Sequence, residues 1–223
     1  MTANRPVGTR AVILGNGPSV DSMPPEFWGR CLEDDATLLV GTNRALCMAA
    51  VQGVRLDACV IRDDYRKMFA VDGLGWQYHR DYWKPFDGWT VGPATHRVTH
   101  CDEFVRFLHG WQVERVEDAN YEAAVLIADT VVLIAANWAW HQGCRDIAIL
   151  GMDYSPGCAV LAPEYQQAPQ RWADQYEKPI KPAIIKQTQQ ARETVESQGG
   201  RLVNLSEQST LDALPKVTYD RWL

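Results

Sequence analysis

Apolar residues along the chain gather into short runs that stop at glycine or polar turns. Ala11-Val12-Ile13-Leu14 ends at Gly15-Asn16-Gly17-Pro18-Ser19. Such a run closed by turn residues reads as a buried strand entering a tight loop. The pattern recurs at 37–40, before Gly41-Thr42-Asn43-Arg44, and at 57–61, ending at Arg62-Asp63-Asp64. It returns at 146–150, before Gly151-Met152-Asp153-Tyr154, and at 201–205, while Thr90-Val91 marks a further short strand. Helical patterns lie between these runs. Residues 44–52 carry helix formers and close at Gly53, and 102–108 read as a short amphipathic helix near Thr99 or Asp102 as cap. Residues 122–142 predict a core helix ending at Gly143, and 182–198 an exposed helix ended by Gly199-Gly200. Residues 206–214 read as a turn or short helix. Alternating strands and helices with short connections predict an α/β fold, with a mainly parallel sheet covered by helices on both faces.

Two stretches break this rhythm. Residues 65–100 include Trp76, Tyr78, Tyr82, Trp83, Phe86 and Trp89 with no periodicity, and read as an irregular excursion or lid. Residues 155–180 are proline- and glutamine-rich and read as a mobile loop. A chain of 223 residues supports one domain carrying both. The most apolar run, 123–140, contains Asp129 and Asn137 and is flanked by Glu122 and His141. Those polar groups favour a buried helix over a membrane span.

Composition narrows the partners. With 22 Lys+Arg against 28 Asp+Glu the net charge is -6, which disfavours a phosphate-backbone partner. Residues 1–10 hold no apolar stretch of the signal-peptide kind. None of Cys31, Cys47, Cys59, Cys101, Cys144 and Cys158 forms a Cys-x-x-Cys pair. Reduced, mostly buried thiols and a cytoplasmic location are the expectation, with no membrane partner.

Ligands of open α/β sheets bind beyond the carboxyl ends of the strands. The polar strand ends should therefore converge on one edge. Gly15, Gly17 and Ser19 can offer backbone N–H groups to a phosphate. The loop is not a P-loop, since no Gly-Lys-Ser/Thr follows, and Val20 stands where a dinucleotide fingerprint needs its third glycine. Asn43 offers donor and acceptor groups for a base or ribose, and Asp153 can hold ribose hydroxyls or a metal. The aromatic excursion reads either as a stacking surface for a flat acceptor or as a secondary hydrophobic cluster.

The residues 11–19, the Thr42-Asn43-Arg44 turn followed by 57–63, and the unit 129–155 ending in Gly151-Met152-Asp153-Tyr154 resemble the bacterial sialyltransferases of glycosyltransferase family 42. The same skeleton resembles the MptE-like 6-hydroxymethylpterin pyrophosphokinases and related bacterial and phage proteins. The resemblance implies a Rossmann-like nucleotide-binding domain. It also implies nucleotide contacts at Asn16, Gly17, Ser19, Asn43, Asp153 and Tyr154, and Gly15, Pro18, Thr42, Arg44, Arg62, Thr130 and Gly151 join them as candidate nucleotide or donor contacts. Two departures stand out. The sialyltransferase catalytic histidine has no counterpart in Lys178-Pro179-Ile180-Lys181-Pro182-Ala183, and the arginine-containing turn before the core helix is Ile127-Ala128-Asp129-Thr130.

The expectation is a glycosyltransferase-like transferase, taking a nucleotide-sugar donor as cosubstrate and an unidentified hydroxyl acceptor. Asp63, Asp64 and His141 are the candidates for general base. The alternatives are an MptE-like ATP-dependent pyrophosphokinase, with Asp63, Asp64 and Asp153 on Mg²⁺, a nucleobase-modifying glycosyltransferase of phage type, and a non-catalytic nucleotide-binding module. Dependence on Mg²⁺ and oligomeric state stay open at this point, and no protein metal site is expected.

Overall fold

The apolar run after Arg10 forms the middle of a sheet. The computed structural model describes residues 7–43, 45, 53–61, 88–93, 103–108, 112–115, 130–154 and 182–223. Strands β1 (Arg10–Leu14), β2 (Thr37–Thr42), β3 (Ala58–Val60), β4 (Trp89–Pro93), β5 (Glu103–Leu108), β6 (Gln112–Arg115), β7 (Asp146–Leu150) and β8 (Arg201–Asn204) make one sheet, in the order β6-β5-β4-β3-β2-β1-β7-β8. Every neighbouring pair is parallel except β5 with β6, which is an antiparallel edge. The fold is α/β and Rossmann-like.

Alternation along the strands sends successive side chains to opposite faces. Ala11, Ile13, Val40, Val60, Ile147 and Ile149 pack beneath helices α2 (Val131–His141) and α3 (Pro182–Ser197). Val12, Leu14, Leu39, Cys59, Ala148 and Leu150 pack on the other face, with Phe27 and Cys31 of α1 (Pro25–Glu33) and Trp222 of α4 (Tyr219–Trp222). Burial on both faces explains why these strands read as unbroken apolar runs. Every residue of α2 from Val131 to Trp140 is buried, and Trp138 is fully so, a side chain whose truncation to alanine costs about 3–5 kcal/mol in comparable cores.

Some expected boundaries move. Residues 103–108 form β5 rather than a helix, because β4 offers a parallel partner and β6 an antiparallel one. Phenylalanine and valine in that segment suit a strand as well as a helix. The core helix does not run back unbroken through residue 130. Thr130 is extended (φ -132, ψ 133) and its side chain caps the helix by accepting from the Val132 N–H at 3.3 Å. Helix α3 is one-sided rather than exposed, with Ile184, Thr188, Ala191 and Val195 buried at helical spacing. Residues 206–214 are turns without a helix, and α1 and α4 add helices the patterning did not indicate. The excursion over 65–100, apart from 88–93, and the loop over 155–180 lie outside the described residues, as does the expected helix over 44–52 apart from Ala45.

Cys31, Cys59 and Cys144 are buried thiols outside any disulfide. Burial pushes the Cys31 and Cys144 thiols up to about 12, which makes them poor nucleophiles at neutral pH. Among the described residues no helix is long and apolar enough to cross a membrane.

Candidate functional site

The chain runs outward from β1 through β2, β3, β4 and β5 on one side, then returns to place β7 and β8 on the other. The order therefore reverses between β1 and β7. Loops leaving two such strands diverge and open a crevice at their carboxyl ends. A cleft of about 140 Å³ lies there, lined by Asn16 and Gly17 after β1, Thr42 at the end of β2, Thr130 to Val132 at the start of α2, and Gly151 to Tyr154 after β7.

The two loops are welded together. The Gly15 N–H donates to Leu150 O at 2.7 Å, and the Gly17 N–H to Gly151 O at 2.8 Å. The Ser19 N–H donates to Asp153 Oδ2 at 2.9 Å. Ser19 Oγ and Ser206 Oγ are 2.7 Å apart, and each accepts from the Gly151 N–H, at 3.0 and 3.1 Å. This corrects one expectation. The amides of Gly15, Gly17 and Ser19 are occupied within the protein, so they do not form the phosphate cradle predicted for them, and Pro18 has no N–H. Glycine is needed at positions 15 and 151 for close approach, since a methyl group on either would run into the other's backbone.

Asp153 is 2% exposed. One carboxylate oxygen holds Ser19, while Oδ1 is buried without a partner, as is Asn16 Oδ1. Both residues line the cleft. Unsatisfied buried acceptors are costly and rare, and two on residues that line one cleft suit a ligand that donates hydrogen bonds. A hydroxyl-bearing group meets that need. Thr42 contributes less directly, since its hydroxyl donates to Leu14 O at 2.7 Å.

The backbone beyond β7 is unusual. Gly151 has φ +82 and Tyr154 has φ +50, left-handed conformations on either side of Met152 and Asp153. The segment after β8 holds this turn: Ser209 Oγ donates to Met152 O at 2.8 Å, the Thr210 N–H to Asp153 O at 2.9 Å, and Thr210 Oγ1 to Tyr154 O at 3.0 Å. Asn43, at the end of β2, is also left-handed (φ 46) and is 9% exposed.

The structure thus brings Asn16, Gly17, Thr42, Thr130, Gly151, Asp153 and Tyr154 to one cleft, with Gly15, Pro18 and Ser19 in the loop that frames it. Asn43 is close in the fold, at the end of β2, but is not among the lining residues. Arg44, Arg62, Asp63 and Asp64 lie outside the described residues. His141 is not brought to the cleft. It ends α2, ten residues beyond Val131 and so about 15 Å along the helix axis from the end that lines the cleft. Val131, Val132 and Met152 line the cleft without having been singled out, as apolar residues that patterning assigns to the core. Ser206, Ser209 and Thr210 were also missed. A serine-threonine cluster after a strand was their only signal. Among the described residues no group of three or more His, Cys, Asp or Glu is gathered.

No protein-family model matches the chain, and no curated protein matches it. Among solved structures, the MAf glycosyltransferase of Magnetospirillum magneticum AMB-1 superposes with a TM-score of 0.61 over 98% of this chain, at 12% identity. The chain spans about a third of that protein's length, 35%. At that identity the likeness is one of fold alone: this chain is folded like part of that glycosyltransferase. A thiamin pyrophosphokinase from Geobacillus thermodenitrificans matches with a TM-score of 0.35, at 16% identity, over 77% of this chain and 57% of that one, too low to carry an argument.

Proposed function

We propose that the chain is a glycosyltransferase-like transferase whose cleft between β1 and β7 holds the nucleotide of an activated sugar donor. The carrying observation is the pair of buried, unpartnered acceptors, Asn16 Oδ1 and Asp153 Oδ1, on two residues that line a cleft at the reversal of strand order. A ribose carries two neighbouring hydroxyls, each able to donate. The carboxylate also repels phosphate, which orients the nucleotide. Its ribose lies over Asp153, and its phosphate turns toward the start of α2, where Val131 and Leu133 have amides with no acceptor inside the helix. Thr130 keeps that helix end in place by capping Val132. The fold-level likeness to a glycosyltransferase supports the reaction class by analogy.

In this reading a carboxylate deprotonates the acceptor hydroxyl, with Asp63 or Asp64, which follow β3 in sequence, as the candidates. The acceptor side is assigned in this reading to residues within 65–100, apart from 88–93, and within 155–180. The acceptor class is not assigned.

A thermal-shift panel of CMP, CDP, UDP, GDP, ADP and ATP and their sugar conjugates, each with and without Mg²⁺, tests the reading. A ligand that binds only the folded chain raises the melting point by mass action. Stabilisation by a CMP, UDP or GDP species supports the transferase and names the donor class. Stabilisation by ATP with Mg²⁺ alone replaces it with a diphosphotransferase. No shift with any nucleotide removes it.

A further inference from the structure

We infer that Ser209 and Thr210 are positioning residues that aim Asp153 into the cleft without touching what binds there; the inference rests on reading Asp153 as a ligand contact. Neither residue lines the cleft. Both act on the backbone that carries Asp153. Three successive carbonyls, of Met152, Asp153 and Tyr154, receive Ser209 Oγ, the Thr210 N–H and Thr210 Oγ1 at 2.8, 2.9 and 3.0 Å. Ser209 Oγ in turn accepts from the Leu211 N–H at 3.1 Å, which fixes the rotamer that reaches Met152.

The turn needs such a hold. Tyr154 is a non-glycine residue in the left-handed region, a conformation that persists only where surrounding contacts over-determine it. If Tyr154 relaxed to negative φ, its carbonyl would rotate away from Thr210, and the preceding peptide would carry Asp153 with it. Asp153 Oδ2 would then lose the Ser19 N–H. Ser19 is thus a reporter on Asp153, since its amide is held by that carboxylate alone among the contacts described.

Thr210 is exposed, so its hydroxyl can be removed without opening a cavity. The test is amide hydrogen exchange, followed residue by residue by NMR, in the full chain as Thr210→Val and Thr210→Ser. The second variant keeps the hydroxyl. In Thr210→Val the Ser19 amide should exchange about fivefold faster or more, in line with the loss of one hydrogen bond. Exchange in β1 and β2 and the melting temperature should stay as in the parent. Thr210→Ser should restore the parent rate at Ser19. Ser209→Ala should act in the same direction. It is the less clean variant, because its hydroxyl is buried and both donates and accepts. An unchanged Ser19 rate in Thr210→Val, or a fast rate in both Thr210 variants, overturns the inference.

Binding of CMP, followed by calorimetry, separates this from the function proposed above. Faster Ser19 exchange in a chain that binds no CMP keeps the positioning role and counts against a CMP donor. CMP binding of parent strength in Thr210→Val, with Ser19 exchange unchanged, keeps the nucleotide reading and removes the positioning role.

Discussion

Gly17 and Asp153 share a space that has no room for a methyl group. A Cβ on Gly17 would overlap Asp153 Oδ2 and come within 2.8 Å of its Cγ and of Gly151 O. Gly17 itself has φ -77 and ψ 157, a conformation open to any residue. Space, not backbone freedom, therefore demands glycine here, and the side chain it makes room for is the buried carboxylate of the cleft.

Gly17→Ala should consequently displace Asp153 and empty the cleft of function while the sheet survives. Overpacking of this kind costs about 1–3 kcal/mol, which urea denaturation can measure. Any nucleotide that stabilises the parent should stabilise this variant by much less. Gly29→Ala is the control: a Cβ there meets nothing within 4 Å, and position 29 lies inside α1, so that variant should gain about 0.5–1 kcal/mol. Parent-like nucleotide response in Gly17→Ala would separate Asp153 from binding.

Asp153→Asn isolates charge from shape. Asparagine can still accept the Ser19 N–H, so the β1–β7 loop contact should persist and the melting temperature should change little. The cleft, however, would face the ligand with an NH₂ donor in place of a carboxylate acceptor. Hydrogen bonds to charged groups are worth about 1.5–3 kcal/mol, so nucleotide affinity should fall roughly 10- to 100-fold by titration calorimetry. Undiminished affinity would show that Asp153 serves only to hold Ser19.

The strand ends that build the cleft were legible because unbroken apolar runs and the turn residues that close them are local signals. Ala11 to Leu14 and Asp146 to Leu150 could be read as strands without knowing that they pair, and strand-end rules then pointed to Asn16 and Asp153. The fate of individual donors was not legible. Gly15, Gly17 and Ser19 look like free amides until Leu150, Gly151 and Asp153 arrive from more than 130 residues away. The same holds for Ser206 to Thr210, whose hydroxyls act on backbone groups distant in sequence. Residues 103–108 misread as a helix because a short strand takes its identity from its partners, here β4 and β6, that composition does not reveal. Helix α1 had a signal that patterning passed over, Pro25 at the first helical position followed by Glu26.

Asp57 gives the fold a pH dependence of defined sign. Burial raises its carboxyl above the usual 3.8, opposed by the Leu39 N–H at 2.8 Å and the Arg55 charge. A raised folded-state value means that the folded chain binds the proton more tightly than the unfolded one. Asp57 therefore contributes stability that is present below about pH 3.8 and is lost as pH rises through the raised value. Asp57→Asn keeps an acceptor for Leu39 and removes the half-buried charge. Its stability relative to the parent should be greatest at pH 7 and vanish toward pH 3.5. Asp34 shifts the other way, because the Thr37 hydroxyl and the Ala36 amide favour its charged form, but it is common to both proteins and cancels in the difference. Urea unfolding of both at three pH values reads the sign, and a variant less stable at pH 7 than the parent would contradict the burial account.

Asn137 carries an unpartnered amide in the described core. It lies inside α2, fully buried, and neither its Oδ1 nor its Nδ2 has a hydrogen-bond partner. A buried amide without partners costs about 1–3 kcal/mol, whereas an apolar side chain of like shape in the same place carries no such cost. Leucine branches at the same carbon as asparagine, so Asn137→Leu should stabilise the chain by about 1–3 kcal/mol, raising the melting point of a domain of this size by about 2–4 °C per kcal/mol. Asn137→Ala should gain less, because it removes the orphaned amide but leaves a void between α2 and the sheet. If leucine instead destabilises the protein while alanine does not, the pocket around Asn137 is too tight for the added bulk and the cost is steric. If both destabilise it, the amide has partners in solution, and the next experiment is to find which segment supplies them.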